Sequence, residues 1–230
     1  MELNIAENLQ SVRMIIAESE RKSGRPAGSV ELVAVSKTHP PEIIRQAVEA
    51  GQWLFGENRV QEAKAKISEL PARVRWHLIG HLQSNKTRPA LSIFEMIQGV
   101  DSIEMVDEIQ RIGGDLGLFP RVLLQVNVAG ESSKFGFAPQ RLLWEFERIS
   151  RAERLQVEGL MTIPPLASSP ENSRRYFAQL RELRDRLEKE FRFSLPQLSM
   201  GMSSDYRIAI EEGATLVRVG TAIFGERSAR

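Results

Sequence analysis

Eight times along its 230 residues the chain repeats one local pattern, a short apolar run followed by an amphipathic helical stretch, with no Gly/Ser linker or low-complexity segment between repeats. The first run is 30–36, and Pro40-Pro41 then open a helix through Ala50, proline suiting a first helical turn. Runs at 53–55, 76–79, 96–100 and 122–128 are followed by helical patterns at 58–70, 84–91, 102–113 and 139–151. The run at 157–161 precedes a long helix over 171–191 with the stripe Tyr176, Leu180, Leu183 and Leu187. Runs at 197–199 and 215–219 are followed by a helix over 204–212 and a final turn, while 112–119 reads as a variable loop. Ile5, Leu9, Val12 and Ile16 add a leading helix that stops at the breaker cluster 23–28. Eight strand-then-helix units in this length predict an α/β fold: a single (βα)8 TIM barrel over 1–230, with 1–24 as an extra N-terminal helix. An open doubly wound sheet is the main rival.

Composition removes several classes of chemistry. The chain has no cysteine, which excludes disulfides, thiolate zinc sites, iron–sulfur clusters and a cysteine nucleophile. A net charge of +1 gives no general attraction to nucleic acid or anionic membrane. The first twenty-two residues carry charge in every turn and lack the apolar core of a secretory signal, so a cytoplasmic protein is expected, without nucleic-acid or membrane partners. Three histidines, His39, His77 and His81, are too few to argue for metal.

The seven lysines sort by position. Lys22, Lys64, Lys66 and Lys189 fall on charged helical segments and read as solvated. Lys86 and Lys134 fall in strand-to-helix loops. Lys37 directly continues the first apolar run with the parity of Val33 and Val35, which projects it into the mouth of the barrel. Apolar neighbours destabilise an ammonium ion, and the neutral amine so favoured is what a Schiff base requires; a strand-end lysine reaching solvent is the equal alternative on position alone. The segment Ser199-Met200-Gly201-Met202-Ser203-Ser204-Asp205 follows strand 7 and offers backbone N–H groups, two hydroxyls and a helix start. Gly220 and Thr221 end strand 8. Those are the two loops where barrels of this type often hold phosphate. A lysine facing a phosphate cup is the layout for a phosphorylated aldehyde. His77 reads as a core histidine, Glu57 and Glu62 as acids serving a helix dipole, and Arg218, within a barrel strand, as a cation that needs a partner such as a ring nitrogen or a carboxylate.

Five blocks carry a resemblance: Ala34-Val35-Ser36-Lys37-Thr38, Gly56-Glu57-Asn58-Arg59-Val60-Gln61-Glu62, the stretch from Trp76 through His77 to Lys86, Gly201-Met202-Ser203-Ser204-Asp205, and Val217-Arg218-Val219-Gly220-Thr221-Ala222-Ile223-Phe224-Gly225. In order and spacing they resemble the signature blocks of the pyridoxal phosphate homeostasis (YggS/PROSC) family, from about residue 30 to 226. The resemblance implies a barrel similar to the N-terminal domain of alanine racemase that holds pyridoxal 5'-phosphate (PLP) as an aldimine on Lys37. It also implies that Ser203, Gly220 and Thr221, with Ser204 beside them, bind the phosphate, that Arg218 meets the pyridine nitrogen, and that Asn58 and His77 lie near the ring.

The family implies a non-catalytic carrier or regulator in vitamin B6 homeostasis, with apo PLP-dependent enzymes as candidate recipients and a monomer as the expected state. A PLP-dependent racemase and an aldolase-like barrel are the alternatives. Against the racemase, an arginine at the pyridine nitrogen weakens the electron sink. The 11 residues after Val219 leave no room for the β-rich domain from which such racemases bring a tyrosine, and Tyr176 and Tyr206 fall on helices.

Overall fold

A computed structural model describes residues 4–165 and 168–226, so positions 1–3, 166–167 and 227–230 of the expected span lie outside the described residues. Eight parallel strands close into a barrel in chain order: β1 (Glu31–Val35), β2 (Leu54–Glu57), β3 (Arg75–Leu78), β4 (Met96–Val100), β5 (Arg121–Gln125), β6 (Gln156–Met161), β7 (Gln197–Ser199) and β8 (Leu216–Val219). The helices are α1 (Ile5–Lys22), α2 (Pro41–Glu49), α3 (Val60–Ile67), α4 (Thr87–Leu91), α5 (Ile103–Leu116), α6 (Pro139–Ser150), α7 (Arg174–Phe191), α8 (Tyr206–Glu211) and α9 (Thr221–Phe224). Closure is carried by β8 against β1 in the register Glu31↔Leu216, Leu32↔Val217, Val33↔Arg218 and Ala34↔Val219, which eliminates the open sheet. Among the described residues no helix is long and apolar enough to cross a membrane.

The two faces of each strand go to different cores, as a period of two requires. Ala34, Phe55, Leu78, Ile97, Val122, Leu198 and Val217 pack outward against the helices. Val33, Leu54, Ile79, Met96, Leu123, Met161 and Leu216 form a separate cluster inside the barrel. At the N-terminal ends of the strands, Glu31, Arg75, Glu95, Arg121 and Glu158 form a continuous chain of ion pairs. Helix α1, capped by Asn4 accepting from the Glu7 N–H, lies over α8 and α9, and Asn8 donates to the Ile223 carbonyl at 2.9 Å. The leading helix therefore covers the seam where the barrel closes.

Several expectations shift. Helix α5 runs on through Leu116 to a left-handed Gly117, so only the last few positions of 112–119 form a loop. Phe177, not Tyr176, completes the buried stripe of α7 with Leu180, Leu183 and Leu187; Tyr176 is half-buried, and its hydroxyl accepts from Arg175. Strand β2 extends to Glu57, and α3 occupies only the middle of the 58–70 pattern. Strand β5 stops at Gln125, although the Val126 N–H still donates to the Met161 carbonyl at 2.8 Å, and Val126 also bridges Phe137.

Gly159 shows how tightly the strands approach, since a Cβ there would lie 1.9 Å from the Gln197 carbonyl oxygen. Backbone cannot yield as a flexible side-chain tip can, so β6 and β7 would have to separate. Gly159→Ala should cost about 3 kcal/mol of unfolding free energy, read as a lowered urea midpoint, and an unchanged midpoint would contradict this packing.

Candidate functional site

Barrel closure sets β8 beside β1, so residues far apart in sequence share one edge of the C-terminal mouth. A Cβ at Gly220 would stand 3.3 Å from both the Cβ and the carbonyl oxygen of Val35, so the end of β8 lies flat on the end of β1. Lys37 occupies the turn immediately after β1 and is half-buried, and Thr38 follows it with φ 69°. Ser36 has the outward parity of Ala34, and its hydroxyl donates to Glu57 Oε1 at 2.6 Å. Lys37 follows it in the turn, two residues past the end of β1.

The turn that carries Lys37 is held from below by a buried charge cluster. Lys66 Nζ donates to the Ser36 carbonyl at 2.9 Å, to Glu57 Oε1 at 2.7 Å and to Glu62 Oε1 at 2.8 Å, while the Thr38 N–H donates to Glu62. This corrects the expectation of a solvated Lys66 and of Glu57 as a dipole-serving acid, whereas Glu62 does stand in the first turn of α3, where it also pairs with Lys66. Lys66 is only 5% exposed, on the face of α3 that also buries Val60 and Ala63. Burial pushes the Glu57 carboxyl above its usual range despite Lys66 and Ser36. Burial also acts upward on Glu62, but Lys66 and the Thr38 amide outweigh it and hold that carboxyl low.

The loop after β7 folds back on α8: Gly201 has φ 90°, and a Cβ there would come within 2.5 Å of the Ala209 Cβ. Not all of its expected amides are available, because the Met202 N–H is taken by Asp205 Oδ1 at 2.8 Å. Ser203 Oγ accepts from the N–H groups of Gly220 and Ala222, both at 3.3 Å, which leaves its own proton for a further acceptor. Ser204 and Thr221 are exposed beside it, and Gly220 is half-buried.

Inside the barrel, Arg218 and His77 share the parity of the inner residues Leu216 and Ile79. Arg218 is 3% exposed, and its partners are neither solvent nor the expected carboxylate: it donates to the Ser199 hydroxyl at 2.6 Å and to the Thr162 carbonyl at 2.8 Å. Burial pushes its pKa down to about 10 against the pull of Asp205, and it stays cationic at neutral pH. His77 is only half satisfied, with Nδ1 2.9 Å from Gln98 Nε2 and a buried Nε2 that has no partner among the described residues. Asn58 is half-buried at the end of β2, its carbonyl so close to Gly80 that a Cβ there would stand 2.4 Å away.

Of the remaining candidates, His81 pairs with Asp101 at 2.7 Å and stacks on Phe135. Lys86 is half-buried at the end of a 3₁₀ turn, and Lys134 is exposed. Among the described residues no cluster of His, Asp or Glu stands ready to hold a metal ion. Sequence reasoning passed over Gln98, gave Ser199 no role of its own, and misread Lys66 and Glu57. The usable signal was a polar residue at an inward position of an otherwise apolar strand, as Gln98 is beside Met96.

Comparison with known proteins adds an independent line. Residues 5–228 match the family described as alanine racemase, N-terminal domain. A pyridoxal phosphate homeostasis protein of Aquifex aeolicus (strain VF5) is 43% identical over 226 residues, covering 98% of this chain and 99% of that one. The structure of PipY from Synechococcus elongatus PCC7942 with PLP bound is 42% identical, with a TM-score of 0.84 over 96% of this chain and 100% of that one. An alanine racemase of Clostridium difficile 630 shares the fold alone, at 15% identity and TM-score 0.74, over 98% of this chain and 57% of that one.

Burial holds the His77 pKa down to about 4, with the cations Arg75 and Arg121 adding to the effect and Glu95 opposing it. An unfolded histidine titrates near 6.5, so between the two values the unfolded chain binds a proton that the native one refuses, and stability falls as pH falls. From about pH 6.5 to pH 5 the wild type should lose about 2 kcal/mol that His77→Gln does not lose, measured by urea unfolding. Parallel curves for the two proteins would show that His77 takes up its proton in the fold as readily as in the unfolded chain.

Proposed function

The chain belongs to the alanine racemase N-terminal domain family and, within it, to the pyridoxal phosphate homeostasis proteins, and on that premise we propose that it binds PLP reversibly at the mouth of the barrel and takes part in PLP homeostasis. The observation that carries this reading is the juxtaposition of Lys37 with the Ser203, Gly220 and Thr221 rim, made when β8 closes on β1. When bound, PLP supplies an aldehyde that condenses reversibly with a primary amine. Lys37 provides the amine, and the Lys66, Glu57 and Glu62 cluster holds the turn on which it sits. Ser203 directs its free proton to the phosphate, and Ser204, Gly220 and Thr221 stand beside it. Arg218 offers a fixed cationic donor to the ring nitrogen, with Asn58 and His77 bordering the ring. The donor set thus fits a ligand with a dianion at one end and a nitrogen acceptor at the other.

Two arms test the site. Borohydride reduction and peptide mapping should find the adduct on Lys37, and an adduct on Lys86 or Lys134 would overturn the assignment. Ser203→Ala and Thr221→Val should each weaken PLP binding about tenfold to a hundredfold and leave pyridoxal, which has no phosphate, nearly unaffected. Equal losses for both ligands would move the phosphate site elsewhere.

The same geometry supports a carrier without amino-acid chemistry of its own. A guanidinium at the ring nitrogen donates and keeps that nitrogen unprotonated, which weakens charge withdrawal. Among the described residues, the two tyrosines serve helices: Tyr206 is buried at the start of α8, and Tyr176 lies against Arg175 on α7. PLP-loaded protein mixed with single L- and D-amino acids should give no rapid racemization or transamination, and should restore activity to an apo PLP enzyme. Fast turnover of any amino acid would defeat this reading.

A further inference from the structure

Behind the proposed ligand contacts, one hydrogen-bonded chain crosses the interior of the barrel through four strands. Arg218 Nη1 donates to Ser199 Oγ at 2.6 Å, Ser199 Oγ lies 2.6 Å from Gln98 Oε1, and Gln98 Nε2 lies 2.9 Å from His77 Nδ1. All four residues are buried on the inner face. Their donor and acceptor inventory fixes the direction. A guanidinium only donates, so Ser199 accepts from Arg218 and passes its single proton to Gln98. The Gln98 carbonyl therefore faces Ser199, and its amide N–H faces His77. His77 Nδ1 must then be the acceptor, and the proton of the neutral imidazole is on Nε2.

That Nε2 is the end of the chain, buried and without a partner among the described residues. Unpaired buried donors are rare, and those that persist call for a further acceptor. Turning the Gln98 amide over would present its NH2 group to Ser199, leave the Ser199 proton without an acceptor in the chain, and force the His77 proton onto Nδ1.

We propose that Ser199 and Gln98 are positioning residues that lock His77 as a permanent Nε2–H donor toward the cofactor ring and tie it to Arg218. The proposal rests on the PLP reading above. Neither Ser199 nor Gln98 touches the ligand in this scheme; each acts through the residue it orients. The ring then meets two donors of fixed polarity, Arg218 and His77, and a ligand must present acceptors to both.

The test begins with cofactor-free protein labelled with 15N-histidine. Long-range 1H–15N correlation separates the two imidazole tautomers, and His39→Gln and His81→Gln assign the His77 signal. Wild-type His77 should be in the Nε2–H form near neutral pH. In Gln98→Glu the new carboxylate accepts from both neighbours and should move the His77 proton to Nδ1. A wild-type Nδ1–H form, or a tautomer unmoved in Gln98→Glu, overturns the proposal. If Gln98→Glu does not fold, Ser199→Ala should free the amide and give a mixture of tautomers, with Ser199→Thr restoring the single form; a mixture in neither, or in both, overturns it as well. PLP titration should then show affinity about tenfold weaker in the variants whose tautomer has changed. Unchanged affinity there defeats the positioning role. A wild type that binds no PLP defeats the cofactor reading and the donor's role with it, whereas the histidine signal still reports the order of the chain.

Discussion

Closure of the barrel between β8 and β1 is the constraint on which the rest depends. It sets Val33 level with Arg218 and Gly220 against Val35, and so joins the first and last strands at one edge of the mouth. Closure also leaves no sheet edge exposed, and every strand has an inner and an outer face to fill. Helix α1 adds to the seam from outside through Asn8 and its packing on α8 and α9.

The filling of the two faces explains why polar groups sit where they do. Outside the wall, Glu57 falls between β2 and α3, where a carboxylate without a counter-charge would be costly, and Lys66 reaches it from the helix face. Inside, the apolar cluster gives way to Arg218, Ser199, Gln98 and His77, which satisfy one another almost completely. A fully connected buried network is rigid, because each member lost leaves its neighbour unpaired in a medium without water. Among the described residues, the unsatisfied end of this network, His77 Nε2, is therefore its informative atom.

Much of this was legible in the sequence, for a definite reason. Strand and helix periods differ, so the eight units, the position of Lys37 and the placement of Ser203 and Thr221 on neighbouring loops all follow from local pattern. Extents were less legible: α5 absorbs Gly113 and Gly114 because the helix end is set by Gly117, the glycine with positive φ. Phe177 displaced Tyr176 by one position because both suit a helix, and only packing against the barrel decides which faces inward. Lys66 was misread because charge was taken as exposure, although its spacing from Val60 and Ala63 put it on the buried face. The Gln98 and Ser199 link joins residues 101 positions apart, which no local pattern records.

The distribution of these groups also bears on how such a site holds and releases a ligand. On the proposed assignment, the ring end meets Arg218 and His77, both nearly inaccessible to water, Arg218 braced by Ser199 and the Thr162 carbonyl and His77 by the Gln98 side chain. The phosphate end meets half-buried Ser203 and Gly220, with Ser204 and Thr221 exposed at the rim. Hydrogen bonds to a charged group weaken where water competes, and they strengthen where it is excluded. On that assignment the dry interior would set orientation, and the phosphate grip, which opens to solvent, would set the ease of departure. A buried floor with a solvated rim would select a ligand closely without having to retain it.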